Sequence, residues 1–361
     1  MLIRFIRREP LLFVLAVLFL FLIIFFPKII TISALNFPIN TLAAITGLIL
    51  VTRGIEESGY FSHIAEKILA HQSSSRKISL FLILLTAFLS SFLTNDISLF
   101  IVVPLTVAMG KRSGRDIVKM VIFEAIAANV GSSLTPIGNP QNLYLWDISG
   151  MSFGNFIFAM LIPFGMMIVI LLLMAYFTFP NERVEVKFNM PVEKNRSLFS
   201  ISFILLIVFL IAVNFRLALY FLPVILAVLF FTGKEAIKNA DWPLILVFTF
   251  IFIDFYSLSL LLPFFAPQNS FEVFLSTAIL SQGISNVPAT VLVSGKSANY
   301  VAIAWGSNVG GNGTAIASLA NIIAMRLSGE NMLKEFHRYS VPFFMMTLLL
   351  VLIYLWTYIL I

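Results

Sequence analysis

The sequence predicts an all-α polytopic membrane protein built from two inverted-topology repeats, each with a re-entrant hairpin and a discontinuous transmembrane helix. The 361-residue chain is 60% hydrophobic and only 11% charged, whereas soluble domains are about half apolar and a quarter charged. Uncharged stretches at 29–52, 148–181, 197–215 and 339–361 reach the roughly 20 residues that a spanning helix needs. These stretches do not alternate in polarity, which argues against a membrane β-barrel.

Nine membrane crossings are predicted from the apolar runs. They cover about 11–30, 38–54, 115–150, 153–179, 197–214, 217–232, 243–264, 298–326 and 340–361. The first run follows basic residues as in a signal peptide, but it lacks a small-residue cleavage site, so we expect a retained helix. The segments 77–110 and 270–296 are predicted to be re-entrant hairpins, because each has a polar apex and arms that look too short to cross twice.

Positive charge indicates how these crossings are oriented. With a cytoplasmic N-terminus, only Lys28, Arg216 and Lys296 of the 23 Lys and Arg residues fall in outside loops. Cytoplasmic loops of membrane proteins are enriched in Lys and Arg, so the sequence predicts this orientation, with the C-terminus outside. The protein is expected in the cytoplasmic membrane, in contact with lipid. The same pattern explains the net charge of +6 without a nucleic-acid partner.

An internal repeat divides the chain. The stretch NVGSSLTPIGNPQN at 129–142 aligns without gaps on NVGGNGTAIASLAN at 308–321. Six positions are identical, and they pair Asn129, Val130, Gly131, Thr135, Ile137 and Asn142 with Asn308, Val309, Gly310, Thr314, Ile316 and Asn321. A polar hairpin apex precedes each copy, Thr94-Asn95-Asp96 in the first and Ser285-Asn286-Val287 in the second.

These elements predict three parts. Residues 1–179 form the first repeat, with hairpin 77–110 and broken helix 115–150. A linker and a connecting helix occupy 180–216, of which 180–197 is polar and charged. Residues 217–361 form the second repeat, with hairpin 270–296 and broken helix 298–326. Because five crossings separate equivalent helices, the two repeats would run in opposite directions, an arrangement typical of secondary transporters.

The two breaks are the predicted site. Glycines and prolines interrupt each helix, among them Gly131, Pro136 and Gly138 in the first copy, since such residues do not continue a helix cheaply. Free carbonyls at a break can hold a hard cation such as Na⁺, and free N–H groups favour an anion. Two hairpin tips facing two breaks would form a pseudo-symmetric site near the midplane of the bilayer.

Three carboxylates are candidates for carrying protons. A carboxylate at membrane depth is costly and is a functional hypothesis by default. Asp96 is the sole formal charge between Lys77 and Lys111, and Glu124 and Asp254 lie within apolar runs. Asp96 could hold a cation or a proton, whereas the other two could relay protons or pair with a buried partner.

Enzymatic and cofactor-dependent functions are not expected. The chain has no cysteine and no Walker A motif, and GSNVGGNG at 306–313 follows no strand and does not match a dinucleotide-binding fingerprint. His63, His71 and His337 lack metal-ligand spacing. We therefore expect no enzyme, no cofactor and no metal besides Na⁺, with Na⁺ or H⁺ as the coupling ion.

At the apices and breaks the chain resembles the ion transporter superfamily, which includes ArsB-type arsenite permeases, NhaD-type sodium/proton antiporters and divalent anion/sodium symporters. ANVGSSLTPIGNPQNLYLW is most similar to YbiR-type anion permeases. The resemblance implies a homodimer with elevator-like movement and cation ligands at Thr94, Asn95, Asp96, Asn129, Gly131, Gly138, Ser285, Asn286, Asn308 and Gly310. It further implies substrate ligands at Asn95, Thr135, Pro136, Asn139, Asn142, Asn286, Asn312 and Thr314.

The chain departs from the dicarboxylate symporters at both tips. Asp96 and Val287 stand where those relatives carry threonine, and an acid at the tip would repel a dianion unless it were neutralised. The leading hypothesis is a secondary active transporter of a small anion, coupled to sodium or protons by alternating access. A sodium/proton antiporter is the second hypothesis and an arsenite or antimonite efflux permease the third. An intramembrane enzyme or a channel is a more remote one.

Overall fold

The computed structural model describes residues 9–60, 63, 74–113, 117–182, 195–263 and 265–359. In the first half of the chain the helices are α1 (Pro10–Phe25), α2 (Pro27–Leu35), α3 (Ile39–Glu57), α4 (Ser75–Leu93), α5 (Asn95–Ser113), α6 (Val118–Ser132), α7 (Pro140–Ser149) and α8 (Phe153–Thr178). The second half contains α9 (Arg196–Asn214), α10 (Ala218–Thr232), α11 (Lys234–Lys238), α12 (Trp242–Leu261), α13 (Ser270–Ile284), α14 (Asn286–Ser294), α15 (Tyr300–Gly310), a 3₁₀ turn (Ala315–Ala317), α16 (Leu319–Ser328) and α17 (Leu333–Ile359).

The helices are those of a multi-pass membrane protein, as the sequence predicts. Among the described residues, six helices are long and apolar enough to cross a bilayer: α3, α4, α8, α9, α12 and α17. Large apolar side chains are exposed along several of them, including Phe158 and Phe177 on α8. In water such exposure would be unfavourable, but on a spanning helix the same side chains face lipid tails.

The prediction of one continuous helix over 11–30 is wrong. The chain bends by 116° between α1 and α2, at the junction of Phe26 and Pro27. Proline has no N–H to donate and forces the residue before it away from helical dihedral angles, and Phe26 accordingly has φ −136° and ψ 51°. A hydrogen bond of 2.7 Å between the hydroxyls of Ser33 and Ser257 joins α2 to α12.

The prediction that the arms of the first hairpin are too short to cross the bilayer is also wrong. Its first arm, α4, has 19 residues and belongs to the six helices that are long enough to cross. Conversely α10, predicted as a crossing over 217–232, has 15 residues and falls among the shorter apolar helices. The count of nine crossings, the re-entrant depth of the hairpins and the opposite direction of the repeats therefore stay predictions.

Both predicted interruptions of helices are present. In the first, α6 ends at Ser132 and α7 begins at Pro140; in the second, α15 ends at Gly310 and α16 begins at Leu319. The hairpin helices meet at single residues, Thr94 between α4 and α5 and Ser285 between α13 and α14. Most of the linker predicted at 180–197, namely residues 183–194, lies outside the described residues.

Each broken helix packs closely on the first arm of its hairpin. A Cβ atom on Gly131 would lie 2.0 Å from the carbonyl oxygen of Ala87 on α4. The equivalent Cβ on Gly310 would lie 2.9 Å from the carbonyl oxygen of Ala278 on α13. Small residues allow helices in a membrane to approach this closely, so the two glycines fix the distance between each hairpin and its break.

We predict that Gly131→Ala destabilises the protein, because the obstructing atoms belong to backbone and cannot rotate away. Gly165→Ala is the matched control, since the same methyl group at this position in α8 meets no atom within 4 Å. Alanine also favours a helix over glycine by about 1 kcal/mol. Thermal unfolding in detergent should show a lower midpoint for Gly131→Ala and an unchanged or higher midpoint for Gly165→Ala. Equal midpoints would contradict the packing described here.

Candidate functional site

Both hairpin tips have strained backbone. Thr94 has φ 90° and ψ 151°, and Ser285 has φ 75° and ψ 155°. Non-glycine residues rarely adopt such angles, which cost on the order of 1–3 kcal/mol and persist where the surroundings enforce them. The same unusual geometry at both tips makes the hairpins similar in detail as well as in sequence.

Hydrogen bonds hold the first tip against the first break. The backbone N–H of Asn95 donates to the carbonyl of Gly138 at 2.9 Å. The hydroxyl of Thr135 donates to the carbonyl of Ser91 at 2.5 Å. In return, the hydroxyl of Ser91 donates to the carbonyl of Gly131 at 2.8 Å. The irregular backbone of the break is thus paired with the end of the hairpin.

The second tip is held by equivalent bonds. The hydroxyl of Thr314 donates to the carbonyl of Gln282 at 2.8 Å, and the Gln282 amide donates to the carbonyl of Gly310 at 2.7 Å. The hydroxyl of Ser285 approaches the carbonyl of Ala317 at 3.5 Å. Gln282 precedes its tip by three residues, as Ser91 does. This correspondence in bonding supports the predicted repeat independently of the sequence alignment.

The two breaks are joined to each other by reciprocal asparagine pairs. The Nδ2 atom of Asn129 donates to Oδ1 of Asn321 at 2.8 Å, and Nδ2 of Asn308 donates to Oδ1 of Asn142 at 2.7 Å. Each pair takes the first asparagine of one copy and the last asparagine of the other. All four side chains are buried, so the pairs form a polar clamp in the interior, here called the asparagine clamp.

A second reciprocal pair of bonds completes the clamp. Asn139 donates to Oδ1 of Asn308, and the hydroxyl of Ser318 donates to Oδ1 of Asn129, both at 2.9 Å. Asn139 and Ser318 occupy equivalent positions, each directly before the helix that resumes after the break. Their side-chain oxygens also cap that helix, accepting from the N–H of Asn142 at 2.9 Å and of Ala320 at 3.3 Å.

The clamp asparagines also satisfy the backbone of the breaks. Asn142 donates to the carbonyls of Ser132, Ser133 and Thr135, at 3.2, 3.1 and 3.1 Å. Asn321 donates to the carbonyls of Gly311 and Thr314, at 3.0 and 3.1 Å.

Several predicted ligands are thereby occupied by protein partners, namely Asn129, Asn139, Asn142, Asn308 and Thr314. Pro136 is buried within the first break.

Asp96 borders a cavity of ionic size. This cavity of about 20 Å³ is lined by Thr94, Asn95, Asp96, Asn139 and Pro140, together with apolar side chains of α3 and α12. A space of this size admits one water molecule or one bare cation. The Oδ1 atom of Asp96 is buried without a hydrogen-bond partner. The structure thus brings together, around one small space, the predicted first-tip residues and the end of the first break, namely Ile137, Asn139 and Pro140.

A larger cavity of about 600 Å³ adjoins the small one and shares Thr94 and Asp96 with it. Its charged lining comes from Arg53 on α3, from Lys238 at the end of α11 and from Asp241 directly before α12. Arg53 pairs with Glu56 at 2.8 Å and with Glu57 at 3.0 Å. Sequence reasoning missed these residues, because they lie outside the repeated elements and no local motif marks them.

The remaining candidates lie apart from these cavities. Glu124 accepts a hydrogen bond of 2.5 Å from Thr106 on α5. Asp254 is fully buried on α12, and neither of its carboxylate oxygens has a partner. Asn312 contacts the sulfur of Met167 on α8 at 3.8 Å, away from the tips. None of these residues lines the cavity at Asp96.

The second tip differs from the first. Asn286 is buried and packs closely on Gly311. A Cβ atom on Gly311 would lie only 2.7 Å from the Nδ2 atom of Asn286. Val287 occupies the position that Asp96 has at the first tip. Among the described residues, no group of three or more His, Cys, Asp or Glu side chains could hold a metal ion. Any cation at the tips would therefore rely on Asp96 and on neutral oxygens.

The spanning helices, interrupted helices and buried polar clamp define a multi-pass membrane protein of the transporter class. The chain belongs to the citrate transporter family, whose model matches residues 1–300. The predicted membership of the ion transporter superfamily is thereby confirmed.

Similar proteins carry transporter names or membrane assignments. The inner membrane protein YbiR of Escherichia coli is 38% identical over 312 residues, 84% of each chain. An uncharacterized transporter of Methanocaldococcus jannaschii is 37% identical over 298 residues, 81% of this chain and 82% of its own. A transporter named arsB from Dictyostelium discoideum is 27% identical over 157 residues, 43% of this chain and 28% of its own. These names support a transport protein rather than an enzyme.

We predict that Asn142→Ala strongly destabilises the fold, because it leaves three carbonyls of the break and Nδ2 of Asn308 without this partner. Each unsatisfied buried polar group costs about 1–3 kcal/mol. Asn155→Ala is the control, since Asn155 is exposed at the start of α8. Unfolding midpoints in detergent, measured with and without Na⁺, should fall for Asn142→Ala alone and by the same amount in both buffers. A fall confined to the Na⁺ buffer would identify Asn142 as an ion ligand instead.

Proposed function

We propose that this protein is a secondary active transporter that moves a small anion across the cytoplasmic membrane, coupled to Na⁺ or H⁺. The observation that carries the proposal is the unpaired carboxylate oxygen of Asp96, which borders an ion-sized cavity at a strained hairpin tip. A carboxylate in an apolar environment is stable only when a proton, a cation or a hydrogen-bond donor compensates its charge.

The coupling cation binds in the small cavity. Asp96 supplies the negative charge, and the side chains of Thr94, Asn95 and Asn139 supply neutral oxygens around the same space. The oxygen of Asn139 already accepts one hydrogen bond, from the N–H of Asn142, but an amide oxygen has two lone pairs. Hard cations such as Na⁺ favour oxygen ligands of this kind.

The anion occupies the larger cavity. Its volume of about 600 Å³ accommodates a small polyatomic anion. Arg53 and Lys238 lie at its wall, paired with Glu56 and Glu57 and with Glu235, and an anion would compete with these glutamates for their N–H groups. Because Asp96 borders both cavities, its negative charge repels an anion until a cation or proton neutralises it. Cation binding therefore raises the affinity for the anion, which is the physical basis of coupling.

Alternating access follows in this proposal from the repeated architecture. The two repeats run in opposite directions with the clamp near the bilayer midplane, the N-terminus is cytoplasmic, and the C-terminus is outside. Inverted repeats with broken helices expose a central site alternately to the two sides. The inner-membrane name of YbiR supports the cytoplasmic membrane, and the family resemblance supports a homodimer.

Two other transport functions have some support. Asp96 alone would suffice for sodium/proton exchange, because one carboxylate can bind either ion. The arsB relative favours efflux of arsenite or antimonite, whose neutral forms a carboxylate would not repel. Neither alternative uses the positive charges of the larger cavity, which is why anion transport is preferred.

Purified protein in liposomes separates these functions. Uptake of small anions such as citrate and phosphate, and separately of neutral arsenous acid, would be followed with and without a Na⁺ gradient, together with internal pH and membrane current. Anion uptake driven by a Na⁺ or H⁺ gradient is expected. Sodium-for-proton exchange without any added anion would overturn the anion proposal, and arsenite flux indifferent to both cations would favour the efflux alternative.

We predict that Asp96→Asn abolishes the dependence of transport on the coupling cation, because asparagine keeps the size of the side chain and removes its charge. Asp241→Asn is the control. Asp241 lines the same large cavity, is exposed, and caps α12 through a bond of 3.0 Å from the N–H of Leu244, a role that asparagine fills equally well. Cation dependence of uptake should disappear in the first variant and persist in the second. Intact coupling in Asp96→Asn would exclude this role for Asp96.

A further inference from the structure

A third cavity lies at the opposite end of α3 from the Asp96 site. It measures about 280 Å³ and is lined by Asn40 and Thr41 of α3, by Asp147 at the end of α7, and by Arg216 between α9 and α10. The hydroxyl of Thr41 donates to Oδ2 of Asp147 at 2.5 Å, which joins α3 to α7 here. Arg216 is exposed, so this cavity reaches the protein surface.

One row of side chains on α3 connects the three cavities. Thr41 lines the 280 Å³ cavity, Ile45 and Ile49 line the small one, and Ile49 and Arg53 line the large one. Residues four apart lie above one another on a helix, so these four form a continuous row about 18 Å long. Its ends are polar and its middle is apolar.

A second row of side chains, on α7, faces the row on α3. Pro140 and Leu143 line the small cavity, and Leu143 and Asp147 line the 280 Å³ cavity. These residues are three or four apart and therefore share one face of the helix. In the part of the chain that the structure describes, Leu143 alone borders both cavities, so its side chain is the wall that the two spaces have in common.

The space between the cavities is closed by apolar side chains. Leu143 and Leu48 are each 2% exposed and Ile45 is 4% exposed. By contrast, exposed residues line both outer cavities, such as Arg216 on one side and Asp241 on the other. A short dry barrier thus separates two polar spaces that reach the surface near opposite ends of a spanning helix.

We propose that the three cavities are one transport route along α3, and that Leu143 is the barrier residue that keeps its two mouths apart. The inference rests on the proposed transport function, to which it adds the route and the second mouth. A barrier of this kind must be broad enough to exclude ions but thin enough to be opened by a small displacement of α7 relative to α3. Leu143 meets the second condition, because a single side chain forms the shared wall, and the buried Leu48 and Ile45 beside it contribute to the first.

The chain contains no cysteine, so single thiols can report which mouth each position faces. Asn40→Cys and Ile49→Cys would each be made in the natural background and treated with a membrane-impermeant, charged thiol reagent. Sealed membrane vesicles of both orientations would be used, without substrate or coupling cation. With Leu143 intact, the two thiols should react from opposite sides. Reaction of both from the same side would overturn the proposal without any change at Leu143.

Leu143→Ala, added to Ile49→Cys, tests the barrier itself. The rate of labelling from the Asn40 side should rise at least tenfold, and Leu143→Val should give a smaller rise. Leu145→Ala is the matched control, because Leu145 is fully buried on the same helix and borders none of the three cavities. An unchanged rate in Leu143→Ala, or an equal rise in Leu145→Ala, would overturn the proposal. Because labelling requires neither anion nor gradient, a negative result here is distinct from a failure of the transport assay.

Discussion

An unpaired backbone N–H or carbonyl in hydrocarbon costs several kcal/mol, and the structure of this protein depends on how that cost is avoided. Two helices are interrupted in the interior, which frees carbonyls that a continuous helix would satisfy. The amide groups of Asn142 and Asn321 donate to these carbonyls at 3.0 to 3.2 Å. Asparagine suits this position, because its amide carries two donors and one acceptor without a charge.

The asparagine clamp also explains why the two halves of the chain depend on each other. Each amide that satisfies one break accepts its own hydrogen bond from the other break, through Asn308 and Asn129. Neither break is fully paired without the other, so these bonds hold the two breaks together in the folded protein. The polar residues of the breaks therefore serve mainly to hold the fold, and fewer of them are free for ions than their number indicates. At the tips and breaks, a buried oxygen without a partner remains on Asp96 and on Asn312.

The residues explain which features could be predicted. Glycine and proline clusters locate both breaks, and the alignment of 129–142 with 308–321 identifies the equivalent asparagines. It does not reveal that the copies bond to each other, because a repeat in sequence contains no contact information between its copies. The bend at Pro27 was missed because proline also occurs at the first turn of unbroken helices. The cavity residues Arg53 and Asp241 lie outside the hairpins and the broken helices, so their proximity to Asp96 depends on tertiary packing alone.

The two hairpin tips have nearly the same backbone geometry, but they differ in charge. Thr94 and Ser285 adopt the same strained geometry, and both tips bond to their breaks. At the next equivalent positions, however, Asp96 borders two cavities, whereas Val287 is buried and apolar. In the proposed mechanism, a carboxylate at one tip alone would provide one charged position for the coupling cation. A second cation at the other tip would have only neutral oxygens, at a helix start whose dipole repels positive charge. In the proposed mechanism, the two similar halves would supply the movement, and the single carboxylate would supply the coupling at one of the two tips.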